Sequence, residues 1–274
     1  MNSSAQDRLP ANIARILNEF QGEISFAAKN LDTGERLDFH SRRNVSTASV
    51  IKLPVLVHVL MSAAEGSLSL DQALVLREED KAPGSGVLGL FQPGLKLTMR
   101  DACNLMIAVS DNVATNLVLD QVGLDSVNRR MRSLGLKVTE IFARVFRPNP
   151  NPSPRNRRYG LGVTTPAEMA DLLERLALEK LGNGKIGGIA FEYLERQHYR
   201  DSIPRRLPKG CKFAGKSGAV DHLRNDVGLV TTSKGKRIVL AIFAQKMRKI
   251  LWSPDNPGLI AIADLAAELV RLLD

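Results

Sequence analysis

Aromatic residues are scarce in this 274-residue chain, 5% in all, with one tryptophan. That scarcity argues against the stacking platforms by which proteins hold single-stranded nucleic acid. The net charge is +9, but its lysines and arginines are spread from end to end without a dense run. Such basicity reads as solubility or as fit to an anionic setting such as a cell envelope, and no nucleic-acid partner is expected. Cysteine is nearly absent. Cys103 and Cys211 are too few for a disulfide framework or a zinc site, and both sit beside apolar residues, as buried thiols do. The four histidines, His40, His58, His198 and His222, lie far apart and match no metal spacing, so neither a metal nor a cofactor is expected. No stretch approaches the ~18 apolar residues of a membrane span. The opening "MNSSAQDRLP" lacks a basic-then-apolar leader: either the protein stays inside or a leader has been removed. There is no Gly-x-Ser-x-Gly elbow, phosphate loop or dinucleotide fingerprint. Finally, no Asp or Glu occurs between Glu140 and Glu168.

What is present is strongly patterned. Leu9, Ile13, Ile16, Leu17 and Phe20 stand at helical spacing and predict a helix over residues 6–20. "ISFAAKNLDTGERLDFH" reads as two strands about an Asp-Thr-Gly turn. "STASVIKLPVLVHVLMSAAEG" predicts a helix with Ser/Thr caps at its start and Gly66 at its end. "TMRDACNLMIAVS", "DNVATNLVLDQVG" and "SVNRRMRSLG" continue the helical middle. Phe146 to Tyr159, "FRPNPNPSPRNRRY", holds four prolines and reads as a long, stiff, basic loop hostile to helix. "TTPAEMADLLERLALEKL" is a helix with a Thr cap and Pro and Glu in its first turn. Three strands, "CKFAGKSGAV", "NDVGLVTTS" and "KRIVLAIFAQK", precede the closing helix "GLIAIADLAAELVRLLD". The economical α+β arrangement is one antiparallel five-stranded sheet with the terminal helices on it and an all-helical lobe inserted between its strands. This makes one domain of two lobes, residues 1–45 with 185–274 and residues 46–184, with a ligand cleft expected between them.

Three short motifs carry possible chemistry. In Ser49-Val50-Ile51-Lys52 the hydroxyl and the amine are one helical turn apart on one face. A serine needs a base to become a nucleophile, and a desolvated lysine can be that base. Ser110-Asp111-Asn112 lies where two helices meet, where these residue types serve equally as N-caps. Lys216-Ser217-Gly218 lies in a strand, where glycine permits close approach of a ligand to the backbone, although a solvent-facing edge lysine would look the same.

In this order the three motifs form the signature of penicillin-recognising serine hydrolases, and the chain resembles class A serine β-lactamases over nearly its whole length. "TTP" ahead of a helix agrees with that resemblance, while "GSGVL" (Gly84 to Leu88) and "RND" (Arg224 to Asp226) resemble the family's other serine-hydrolase relatives. The resemblance implies that Ser49 is acylated, Lys52 takes its proton and Ser110 passes a proton to the leaving nitrogen. Asn112 would hold the substrate's side-chain amide. Lys216 and Ser217 would bind its carboxylate, with Gly218 letting it lie close, and Arg224 would add charge one residue short of the usual spacing. The backbone N–H groups of Ser49 and Ala219 would form the oxyanion hole. The implied partner is a small β-lactam or a peptidoglycan-like substrate, met by a monomer in the periplasm or outside the cell. A D-alanyl-D-alanine peptidase or esterase, or a non-catalytic penicillin-binding sensor, are the rival readings.

The chain also departs from the family. The loop before "TTP" should carry a Glu-Pro pair whose carboxylate activates the deacylating water. Counting back without gaps from Thr164-Thr165-Pro166 places that pair on Asn149-Pro150, and no register supplies an acid. Slow deacylation is therefore expected. Cys103 stands where some members have half of a disulfide, but its partner position holds Leu56, so both thiols are expected to be reduced.

Overall fold

The structure is a computed structural model that describes residues 9–182 and 186–274. In chain order, α1 (Ala11–Glu19) leads into β1 (Glu23–Asn30), β2 (Arg36–Phe39) and the short β3 (Val45–Ser46). A 3-10 turn over Ala48–Ile51 continues as α2 (Lys52–Ala64). β4 (Ala73–Val75) and β5 (Lys96–Thr98) pair before α3 (Met99–Ala108), α4 (Asn112–Val122) and α5 (Leu124–Ser133). β6 (Glu140–Ile141), α6 (Pro154–Tyr159) and β7 (Gly162–Thr164) precede α7 (Pro166–Ala177) and α8 (Ile186–Glu195). β8 (Lys212–Val220), β9 (Leu223–Thr231), β10 (Arg237–Gln245) and α9 (Pro257–Leu273) complete the chain. Two compact units divide it: the segment up to Val50 with Thr165–Glu174 and Tyr199–Asp274, and Ile51–Thr164 with Arg175–His198.

The first unit is built on an antiparallel sheet of order β2-β1-β10-β9-β8, with β8 at its edge. Ile24, Phe26 and Ala28 alternate along β1, and Ile238, Leu240, Ile242 and Ala244 along β10. Strand side chains point to opposite faces in turn, so these residues form one apolar face. Ile13, Ile16 and Leu17 of α1 and Ile262, Leu265, Ala266 and Leu269 of α9 close over it. The terminal helices therefore share one core with the sheet, as the patterning predicts. Asn256 caps α9 by accepting from the Gly258 and Leu259 amides.

The second unit packs α2 against α5 and α8, and α3 against α4 and α8. α2 is apolar nearly all round, and Lys52 through Ser62 are all buried, which marks it as the central helix of this unit. Thr98 and Asp101 form a capping box at α3. Gly123, with φ 75°, ends α4 in a conformation that glycine adopts without strain.

Several local readings need correction. Residues 6–8 of the first helix lie outside the described residues, and α1 begins at Ala11. α2 has no side-chain cap, because the 3-10 turn satisfies its start instead. The proline segment is not helix-free. Ser153 accepts from the Asn156 amide, Pro154 takes the first helical position, and α6 runs to Tyr159. Proline is hostile to a helix interior but favourable at N1. α8 escaped the patterning, since its "GG" obscures the period. Both cysteines are free. Burial pushes the Cys103 thiol up to about 12, where it is chemically inert.

Candidate active site

Lys52 is the organising residue of the second unit. Its side chain is 0% exposed. Nζ donates to the carbonyl of Ser110 at 2.7 Å, to Ser110 Oγ at 3.2 Å and to Asn112 Oδ1 at 3.0 Å. The α3–α4 junction is shaped for this. Ser110 adopts φ 53°, a left-handed conformation costly for a residue with a Cβ, and it brings both its oxygens to one amine. Asp111 holds the junction in place. One carboxylate oxygen caps α4 through the Ala114 amide at 2.8 Å, and the other accepts from the Val87 and Leu88 amides at 2.6 and 2.9 Å. Within the triplet, then, the cap is Asp111, which leaves Ser110 and Asn112 to meet Lys52. Ser85 Oγ adds a bond to the Ser110 carbonyl at 2.7 Å, and Asn112 Nδ2 donates to the Pro83 carbonyl at 2.9 Å.

One turn further along α4, Asn116 is fully buried. Its amide holds both backbone groups of Val145, accepting from the nitrogen at 2.8 Å and donating to the carbonyl at 2.9 Å. Residues four apart on a helix share a face. The proline loop is thus anchored at Val145, one helical turn from the Lys52–Asn112 contact. Asn149, the position given by ungapped counting, is exposed, and its amide donates to Asn156 Oδ1 at 2.9 Å. Arg144 pairs with Asp120 and Arg155 with Glu140.

Ser49 and β8 lie in the first unit. Ala48, just before Ser49, also adopts a left-handed φ of 44°. Asn225 Nδ2 donates to the carbonyls of Ser46 and Thr47 at 2.9 and 3.0 Å, and Gln245 supports it at 2.7 Å. β8 runs against this segment. A Cβ on Gly218 would fall 2.6 Å from the Thr47 carbonyl oxygen and 3.0 Å from the Ser49 nitrogen, so only glycine fits there.

Register and alternation sort the remaining candidates. Ser217 pairs with Asp226, Gly218 with Asn225 and Ala219 with Arg224. Lys216, Gly218 and Asn225 therefore share the face that meets the Ser49 backbone, while Ser217, Ala219, Arg224 and Asp226 alternate to the other. Lys216 is 0% exposed and donates to the Ser217 carbonyl at 2.7 Å. Desolvation pulls its amine down to about 7, partly opposed by the charge of Asp226. It is no solvent-facing edge lysine. The expectation that Arg224 adds charge beside Lys216 needs correction. Its guanidinium donates to the carbonyls of Val220, Leu223 and Leu251 at 2.6, 2.7 and 2.8 Å and lies under Trp252 at 4.4 Å. It ties the β8–β9 turn to the loop before α9.

Sequence reasoning named Ser49, Lys52, Ser110, Asn112 and Lys216, quoted Ser85 only within "GSGVL" and without a role, and missed Asn116 and Gln245. Of these two, Asn116 left a trace, its spacing of four from Asn112. The close fit at Gly218 makes a test. Gly218→Ala is expected to lower covalent labelling of Ser49 by at least about tenfold while the fold survives, because β8 must shift away from the Ser49 amide. Labelling kinetics beside a thermal melt check this, and unaltered labelling would refute the role given to the close approach.

Comparison with known proteins identifies the family. The family model described as the Beta-lactamase enzyme family matches residues 8–273. A β-lactamase of Streptomyces cellulosae is 29% identical over 269 residues, covering 95% of this chain and 85% of the relative. The crystal structure of a β-lactamase from Sphaerobacter thermophilus superposes with a TM-score of 0.84 at 29% identity, covering 100% of this chain and 98% of that one. The structure of PBP-A shares the fold with a TM-score of 0.84 at 24% identity, covering 99% and 96%. With the match running nearly end to end, this chain belongs to the Beta-lactamase enzyme family.

Proposed function

We propose that this protein is a serine hydrolase that β-lactams acylate on Ser49, with acylation faster than deacylation. The observation that carries the reading is Lys52, a fully buried amine whose acceptors are Ser110 and Asn112. When the amine is neutral its two N–H groups keep the bonds to the Ser110 carbonyl and Asn112, and its one lone pair is left to accept the Ser49 proton. The proton path follows. Ser49 Oγ attacks the lactam carbonyl and its proton passes to Lys52. The amine then donates to Ser110 Oγ as Ser110 protonates the leaving nitrogen. The Ser49 Oγ–C bond forms, the C–N bond breaks, and the charge on the protein is unchanged. Backbone N–H groups of Ser49 and Ala219 stabilise the oxyanion, a contribution of about 3–4 kcal/mol for each such donor. The second N–H of Asn112 Nδ2 would hold the acyl amide, and Lys216 would bind the carboxylate, while the Ser217 side chain alternates to the other face of β8.

Deacylation needs a base for water, and the loop has none between Glu140 and Glu168. That absence favours an acyl-enzyme that accumulates, as a peptidase or sensor of the envelope would also show. A fluorescent penicillin followed by intact-mass measurement tests the reading. One adduct per chain is expected on the wild type and none on Ser49→Ala, and a labelled Ser49→Ala protein would move the nucleophile elsewhere.

The loop offers a sharper test. Val145 is anchored a helical turn from the Lys52–Asn112 contact, whereas the Asn149 amide is engaged by Asn156. The wild type should show a burst followed by a slow phase. A carboxylate near the acyl group should raise the slow phase by about tenfold or more, the lower part of the general-base range. Val145→Glu is expected to do this more than Asn149→Glu. The reverse order would show that the loop meets the acyl group at Asn149, and brisk wild-type turnover without a burst would overturn slow deacylation.

Carboxylate binding requires protonated Lys216, and its amine lies at about 7 in the ligand-free protein. The protonated fraction falls as pH rises through that value, and a bound carboxylate pulls the pKa back up. The second-order acylation rate is therefore expected to decline above about pH 7, because kcat/KM-type constants report the free protein. Lys216→Arg, which stays charged, should push that limb to higher pH. Rate measurements from pH 5 to 10 decide it, and an identical limb in both proteins would assign the titration to another group.

A further inference from the structure

Val220, Ile250 and Trp252 are large apolar side chains left 49%, 49% and 64% exposed. They come from two segments, the end of β8 and the loop between β10 and α9, which Arg224 joins into one platform. Its guanidinium donates to the Val220 carbonyl at 2.6 Å and to the Leu251 carbonyl, between the other two, at 2.8 Å. It also lies 4.4 Å from the centre of the Trp252 ring. Trp252 Nε1 donates to Asp221 Oδ1 at 3.3 Å, and the Met247 amide donates to the His222 carbonyl at 3.0 Å. The indole is thus fixed in place while much of its surface stays in water. Apolar side chains grouped in this way beside charge mark interaction sites.

The charge is on the same loop. "KMRKILW" exposes Lys246, Arg248 and Lys249 ahead of Ile250 and Trp252. Lys246 pairs with Glu23 at 2.9 Å. Among the described residues, no carboxylate pairs with Arg248 or Lys249. The nearby acids are engaged, Asp221 by the indole and Asp255 by Arg205 at 3.3 Å.

We propose that this platform docks the protein on an anionic phospholipid bilayer. The Trp252 indole, Ile250 and Val220 enter the headgroup region, and Arg248 and Lys249 meet lipid phosphates. The proposal goes beyond the acyl-transfer reading and does not depend on it. Charge complementarity selects the occupant. A two-fold dimer through this patch would set its unpaired cations against their own copies. A nucleic-acid strand needs successive aromatic rings to stack on, and here one ring stands alone with Arg224 beneath it. A bilayer suits both halves of the patch. Tryptophan favours the membrane–water interface, and lysines and arginines at that depth are drawn to anionic headgroups.

Trp252 is the only tryptophan in the chain, so its fluorescence reports the proposed contact directly. The full chain is mixed with vesicles of phosphatidylglycerol and phosphatidylcholine, or of phosphatidylcholine alone, at low and at high salt, and flotation is measured beside emission. A blue shift and co-flotation are expected with the anionic vesicles at low salt, both weakened by salt. The double variant Arg248→Glu with Lys249→Glu should bind about tenfold more weakly or worse, with a thermal melt like that of the wild type. Trp252→Ala should also float less. Equal binding to both kinds of vesicle, equal binding by the charge variant, or no binding at all overturns the proposal. So does the same blue shift with inorganic phosphate alone, which would make the patch an ion site. A blue shift that grows with protein concentration in the absence of vesicles, together with a dimer mass, would give the patch to a second copy and overturn it equally.

Discussion

An amine with no exposed surface must find acceptors or forfeit its charge, and much of the second unit serves that requirement at Lys52. α2 is apolar around it, so the acceptors come from elsewhere in the chain. They come from one tight junction between α3 and α4. That junction is unfavourable in itself, since Ser110 is left-handed, and Asp111 holds it with three backbone amides. The residues read as catalytic are therefore those that satisfy the buried amine. Their geometry is enforced by groups that take no part in chemistry: Asp111 beneath, Ser85 and the Pro83 carbonyl beside.

The first unit solves a different problem with the same economy. The backbone at Ser49 is fixed by the strained Ala48 before it, the tethers from Asn225 to the carbonyls of Ser46 and Thr47, and the missing side chain of Gly218. Lys216 follows from strand alternation. Placing Gly218 against Ser49 puts Lys216 on the same face two residues earlier and buries it, which lowers its pKa. The same alternation sends Arg224 to the other face, where its charge is spent on three carbonyls and an indole ring.

What the sequence made legible were features that repeat or that involve neighbours along the chain. Periodicity exposed the helices other than α6 and α8 and the three late strands, and composition located the proline loop. The triplets stood out because their members are adjacent. Helpers remote in sequence stayed hidden. Nothing local marks Gln245 as the support of Asn225, and nothing marks Gly84 as the neighbour of both Asn112 and Phe146. Proline statistics misled at Pro154, because a residue that breaks a helix interior is welcome at its first position. Ungapped counting pointed to Asn149, and no local signal marked the anchoring of the loop at Val145. A loop's register is set by where it is anchored, and the anchor here is Asn116, thirty-three residues upstream of Asn149.

The anchoring also bears on why a loop without a carboxylate stays so well fixed. A segment that had lost its purpose would relax, and a bulky residue at φ 54° would be the first to do so. Instead both neighbours of Phe146 are tied to buried groups, Asn116 on one side and Asp80 on the other. The proposed slow deacylation fits this arrangement, since the loop is held from Val145 to Arg147 and no carboxylate lies between Glu140 and Glu168 to act as a base for water.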